Sequence, residues 1–125
     1  MTKKVLVVDD DHSLREVNVR TIELGGYECA AAINGNHALD VAGQFGPDLV
    51  LTDYNMPNCD GYQLAKKLRQ SGFGGRIILA SGNIEEFFKK HRDARSYFDD
   101  FITKPAENGV YLEKVERLIG KPQSQ

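Results

Sequence analysis

Leu49-Val50-Leu51-Thr52-Asp53 is apolar through its first three positions and closes on an acid. A short, continuous apolar run of this kind suits a strand buried on both faces, as in a parallel sheet. Two further runs have the same character. Val5-Leu-Val-Val8 leads into Asp9-Asp10-Asp11, and Ile77-Ile-Leu-Ala80 leads into Ser81-Gly82. Tyr27 to Ala31 and Phe101 to Thr103 are weaker and more mixed, which suits edge strands covered on one side less fully.

Helical patterns fill the intervals. Ser13-Leu-Arg-Glu16, Asp60-Gly-Tyr-Gln63 and Asn83-Ile-Glu-Glu86 each set a capping oxygen three residues before Glu or Gln. Apolar spacing predicts a core face at Leu14, Val17 and Leu24 in the first helix and at Leu64 and Leu68 in the third. The fourth carries Ile84, Phe87, Ala94 and Phe98; the last carries Tyr111, Leu112, Val115, Leu118 and Ile119, with Gly120 as its stop. The second, around His37 to Phe45, ends before Gly46-Pro47. Alternating strands and helices imply an α/β fold, a doubly wound five-stranded parallel sheet with five helices. With the weak strands at the edges, the strand order is 2-1-3-4-5, the flavodoxin-like order. Ligands in such sheets bind beyond the carboxyl ends of the strands, here over the first and third.

Composition excludes several classes. The 125 residues are 41% hydrophobic and 27% charged with a net charge of −2, which offers no global attraction to nucleic acid or anionic membrane. Apolar runs fall far short of the roughly 18 residues of a membrane span, and acid interrupts the first one too early for a signal peptide. A cytoplasmic location is expected. Cys29 and Cys59 have no metal-ligand spacing with any histidine and read as reduced, unpaired thiols. His12, His37 and His91 read as ordinary surface or boundary side chains. Lys66-Lys67 and Lys89-Lys90-His91-Arg92 read as solvated helix surface, so neither direct nucleic-acid binding nor membrane association is expected. Residues 1–120 are expected to form one domain, followed by a polar tail at 121–125.

The chemistry gathers at the strand ends. Asp9, Asp10 and Asp53 bring at least three carboxylates to one edge of the sheet, where crowding and burial would raise their pKa values unless a cation compensates. Hard oxygen donors with few alternatives suit Mg²⁺. Capping of the following helices is the bland alternative, and Asp11 fits it. The fourth strand adds the Ser81 hydroxyl and the open backbone of Gly82; the fifth adds the Lys104 ammonium before Pro105. Acids, a divalent cation, a hydroxyl and a lysine around Asp53 are what stabilising a phosphoryl group in transfer requires.

The segments Val-Leu-Val-Val-Asp-Asp-Asp, Asp48-Leu-Val-Leu-Thr-Asp-Tyr-Asn-Met-Pro-Asn-Cys-Asp-Gly61, Ile-Ile-Leu-Ala-Ser-Gly and Asp-Phe-Ile-Thr-Lys-Pro resemble response-regulator receiver domains, in that family's order and approximate spacing, over nearly the whole chain. The resemblance is to the single-domain, chemotaxis-regulator-like type. It implies that Asp53 is the phosphoacceptor, taking a phosphoryl group from a phosphohistidine on a sensor histidine kinase or histidine phosphotransfer protein. It implies Mg²⁺ held by Asp10, Asp53 and the Asn55 carbonyl, with Asp9 acting through a metal-bound water. Lys104 and Ser81 would contact phosphoryl oxygens, Phe101 would be the switch aromatic, and Pro105 would follow a cis bond. The domain would catalyse only its own phosphorylation and dephosphorylation. Departures are Tyr97-Phe98 where the family often has Gly-Ala, Ala106 after Lys-Pro, and Cys59, read as a small buried residue, in the loop before Asp60.

Three other readings fit less well. A dehalogenase-type phosphatase needs a second acid two residues after its nucleophile, where this chain has Asn55. A nucleotide- or flavin-binding domain needs a glycine-rich loop after the first strand, where three aspartates would repel phosphate. A docking module that works without phosphorylation would not need the acids, Ser81 and Lys104 together. Output is expected through the face built from the fourth helix, fifth strand and fifth helix, binding a downstream effector protein or a second copy as a homodimer.

Overall fold

Five parallel strands carry the fold in the computed structural model, which describes residues 2–122. They are β1 (Lys4–Val8), β2 (Glu28–Ala32), β3 (Leu49–Asp53), β4 (Arg76–Ser81) and β5 (Asp100–Thr103). Between them run α1 (His12–Leu24), α2 (Gly35–Phe45), α3 (Gly61–Gln70), α4 (Ile84–Lys90) and α5 (Asn108–Ile119), with a short 3-10 turn at Ala94–Ser96. The strand order is β2-β1-β3-β4-β5, so the mixed runs are indeed the edges. Positions 123–125 of the expected tail lie outside the described residues.

Alternation along the central strands divides the core in two. Leu6, Val8, Val50, Ile77 and Leu79 point to one face, where Leu64, Leu68 and Phe87 cover them. Their neighbours Val5, Val7, Leu49, Leu51, Ile78 and Ala80 point to the other, under Ile22, Tyr111 and Val115. Burial on both faces explains why these strands read as continuous apolar runs. α1 packs beside α5, and α2 beside α3. Arg69 ties the end of α3 to the opposite rim of the sheet. Its guanidinium donates to the carbonyls of Phe73, Gly75 and Tyr97 and pairs with Asp99 at 3.1 Å.

Several local expectations need correction. α1 is capped by Asp11, whose side chain accepts from Leu14 N at 3.1 Å, so Ser13 lies inside the helix. Its buried residues are Asn18 and Ile22; the predicted stripe faces out, with Leu14 44%, Val17 43% and Leu24 82% exposed. α4 ends at Lys90, and the buried Ala94 and Phe98 belong to the 3-10 turn and the segment after it. β2 starts one residue later than the sequence pattern suggested, with Tyr27 buried just ahead of it.

Other expectations match the geometry. Asp60 and Gln63 form a reciprocal capping box on α3, and Asn83 caps α4. α5 stops at Gly120, whose φ of 78° suits glycine. Both cysteines are free, and burial pushes the Cys29 thiol up to about 12, which disfavours the reactive thiolate. Cys59 is buried, as read from the sequence. Among the described residues, no helix is long and apolar enough to cross a membrane.

Candidate functional site

The parallel arrangement brings the carboxyl ends of β1, β3, β4 and β5 to one rim, and each delivers a polar side chain there. Asp9 follows β1 and is buried; Asp10 beside it is exposed. Asp53 is the last residue of β3. One carboxylate oxygen from each of the three lies within 4.8 Å of the others. Gly61 allows the chain to fold tightly behind Asp53. A side chain there would come within 2.5 Å of the Asp53 carbonyl oxygen, while Gly61 N donates to Tyr54 O at 2.9 Å.

Lys104, just beyond β5, reaches Asp53 Oδ1 at 2.6 Å and Asp9 Oδ2 at 4.0 Å. Burial raises the Asp53 carboxyl above its ordinary value of 3.8; the Lys104 hydrogen bond opposes this, and nearby Asp10 reinforces it. Asp9 is raised as well, first by burial and then by the Asp53 charge, against a hydrogen bond from Asp11 N at 2.9 Å. Burial alone would lower Lys104, but its contacts with Asp53 outweigh that and raise it. Three carboxylates against one ammonium leave an excess of negative charge on hard oxygen donors. That donor set fits Mg²⁺.

Ser81 ends β4 and is buried, its Oγ accepting from Asn83 N at 3.2 Å at the start of α4. Because the hydroxyl accepts there, its own proton is available to donate. Asn55 lines an open cleft of about 400 Å³ together with Asp10, Tyr54, Met56, Pro57 and Asp60. The Lys104–Pro105 bond is cis. Phe101 sits in β5 opposite Leu79, half-buried, with its ring centroid 4.7 Å from Phe88 and 5.7 Å from Phe98. The structure therefore brings Asp9, Asp10, Asp53, Ser81, Lys104 and Asn55 to one rim. Phe101 stands two residues before Thr103, the partner of Ser81 in the register.

Sequence reasoning missed a second layer. Tyr54, directly after Asp53, places its hydroxyl 3.0 Å from His91 Nε2. His91 is the C-terminal cap of α4 and stacks on Tyr62 with centroids 3.8 Å apart. Tyr62 in turn donates to Asp93 at 2.8 Å. Arg95 lies over the rings of Phe88 and Phe101 at 4.7 and 5.6 Å. No spacing rule joins Tyr54 to His91 or Tyr62 to Asp93, each pair more than 30 residues apart in the chain; only the tertiary fold does.

Known proteins align with this arrangement. The family model described as the response regulator receiver domain matches residues 5–116. The alkaline phosphatase synthesis transcriptional regulatory protein PhoP of Bacillus subtilis is 36% identical over 119 residues, covering 95% of this chain and 49% of that regulator. This chain thus spans about half the length of that relative. The solved chemotaxis response regulator CheY4 of Vibrio cholerae superposes with a TM-score of 0.86 at 25% identity, covering 95% of this chain and 100% of that one. Response regulator TrrA of Thermotoga maritima, solved in complex with Mg²⁺-BeF, gives 0.83 at 29% identity and covers 94% and 100%.

Proposed function

The chain belongs to the response regulator receiver domain family of two-component systems, and from that premise we propose that Asp53 accepts a phosphoryl group from a partner's phosphohistidine. The observation that carries this reading is the convergence at Asp53: two further carboxylates within 4.8 Å and the Lys104 ammonium at 2.6 Å. An Asp53 oxygen attacks phosphorus as the bond to the imidazole nitrogen breaks, leaving an acyl phosphate and a free histidine on the partner. Lys104 exchanges its contact with the carboxylate for one with a phosphoryl oxygen. The available Ser81 proton meets another. Asp10, Asp53 and the Asn55 carbonyl would hold Mg²⁺, with Asp9 contributing through water; bound there, the ion neutralises charge developing on the phosphoryl oxygens.

In this reading the chain catalyses only its own phosphorylation and dephosphorylation. Residues 1–120 form the receiver unit, working in the cytoplasm with a sensor histidine kinase or histidine phosphotransfer protein. As Ser81 is drawn to the phosphoryl group, Phe101 turns inward and alters the face formed by α4, β5 and α5, where an effector protein or a second copy docks. Intact-mass analysis after treatment with acetyl phosphate and Mg²⁺ tests the acceptor. The parent should gain one phosphoryl mass and Asp53→Asn should gain none, because an amide is not a competent nucleophile. An equal gain in the variant would move the acceptor elsewhere.

A further inference from the structure

Two asparagines in the sequence, Asn34 and Asn108, are followed directly by glycine. Asparagine is a chemically labile residue. It is most labile before glycine, which sets no side chain against the attack of its own backbone nitrogen on the asparagine amide. The structure gives the two steps opposite surroundings. Asn34 is the N-cap of α2, with its side-chain oxygen accepting from His37 N at 2.8 Å and its carbonyl from Ala38 N at 2.9 Å. Gly35 is buried so tightly that a Cβ there would come within 2.5 Å of the Cys59 carbonyl oxygen. Side chain and peptide are both clamped, which keeps Gly35 N away from the Asn34 amide carbon.

Asn108 and Gly109 lie exposed in the first turn of α5, where a Cβ at Gly109 would stand in open space. Glu107 holds the N-cap position but makes no side-chain cap bond. The opening N–H groups of a helix have no partner within it, and a glycine there weakens the turn further. Such a turn opens at little cost, which frees Gly109 N to reach the Asn108 side chain. We propose that Asn108 is a site of spontaneous deamidation, and that its isoaspartyl product unseats the first turn of α5. Gly109 N, deprotonated by solvent base, attacks Asn108 Cγ. A new C–N bond forms as the bond to the amide nitrogen breaks, and that nitrogen leaves as ammonia with the proton. Water then opens the succinimide, with no change of oxidation state. Opening at the side-chain carbonyl leaves aspartate, which the helix dipole favours at this end. Opening at the main-chain carbonyl leaves isoaspartate, which routes the chain through an extra backbone carbon and breaks the spacing of the turn. That turn borders the acidic rim, because α5 follows the short loop from Lys104. Tyr111, which closes the turn, has its hydroxyl pushed up by burial, opposed by Lys104 and reinforced by Asp9 and Asp53.

The test incubates the intact chain and a Glu-Asn-Gly-Val-Tyr peptide in the same mildly alkaline buffer. Both are mapped by mass spectrometry, with isoaspartate distinguished by fragmentation. Asn108 should convert at least about tenfold faster than Asn34, with isoaspartate among its products. Glu107→Ser, which supplies the missing cap, should slow Asn108 several-fold. In the isotope-labelled isoaspartyl form, Val110 and Tyr111 should lose their helical shifts while the signals of β4 stay in place. Conversion of Asn34 as fast as Asn108 would overturn the proposal, and so would an Asn108 that stays an amide while the peptide is consumed. An unaltered rate in Glu107→Ser would overturn the role of the open turn, and helical shifts retained in the isoaspartyl form would overturn its unseating. No step uses a metal or a phosphoryl donor, so the outcome is independent of the phosphoacceptor reading.

Discussion

Asp53 and Asp9 pay for their position in protonation free energy. Burial raises both carboxyls above 3.8, so the folded chain holds these protons more tightly than the unfolded chain does. The stability this contributes is fully present below 3.8 and is lost as pH rises through the raised values. Asp53→Asn carries no such charge. In metal-free buffer, its thermal midpoint should gain on the parent's as pH goes from about 4 to about 7, and Mg²⁺ should narrow the gap by compensating the parent's carboxylates. Melting curves across that range check this; a difference that stays flat with pH would show that the fold does not penalise the Asp53 charge. The acids, the lysine and the serine were legible because each ends a strand whose apolar run marks the rim. Tyr54–His91 and Arg95–Phe101 were not, since neither pair shares a strand end or a helical repeat.

α1 shows how local pattern and tertiary packing diverge. Ser13 and Glu16 match the spacing of a capping box, yet Asp11 is the residue whose oxygen meets the free N–H of Leu14. Asp11→Ala should therefore cost about 0.5–2 kcal/mol, while Ser13→Ala should be nearly neutral. Urea unfolding of the two variants separates the assignments, and a larger loss from Ser13→Ala would restore the sequence reading. The apolar stripe failed for a related reason. Asn18 takes a buried place on α1 and Leu14 and Val17 are left outside, so hydrophobicity alone pointed to the wrong face. Ile22→Ala should cost about 2–5 kcal/mol, and Leu14→Ala should fall far short of that by the same measurement. On α4, apolar spacing continued through Ala94 and Phe98, but the helix stops where His91 meets Tyr54 and Tyr62. By contrast, the strands were readable throughout the sheet centre, because cover on both faces favours apolar side chains over most of their length.

Across the whole molecule, reactive groups occupy one rim and ties occupy the other. Tyr27 Oη donates to Gly120 O at 2.6 Å, and Arg76 and Arg69 hold Asp99, all away from Asp53. With that far rim fixed, a change at the acidic rim is expected to travel along α4 and β5 instead. Beryllofluoride with Mg²⁺ should shift NMR signals at Phe101 and in α5 as well as around Asp53; shifts confined to the acidic pocket would exclude the proposed switch. The contact between Tyr54 and His91 has an optical consequence. The chain has five tyrosines and no tryptophan, so its ultraviolet emission is tyrosine emission. One emitter is bonded through the backbone to Asp53 and holds its hydroxyl 3.0 Å from the His91 imidazole, so its emission depends on that contact. Events at Asp53 that move this ring should therefore change the brightness of the unlabelled protein, and Tyr54→Phe should abolish that change. A fluorimeter, with no dye attached, would then follow the arrival and departure of the phosphoryl group in real time.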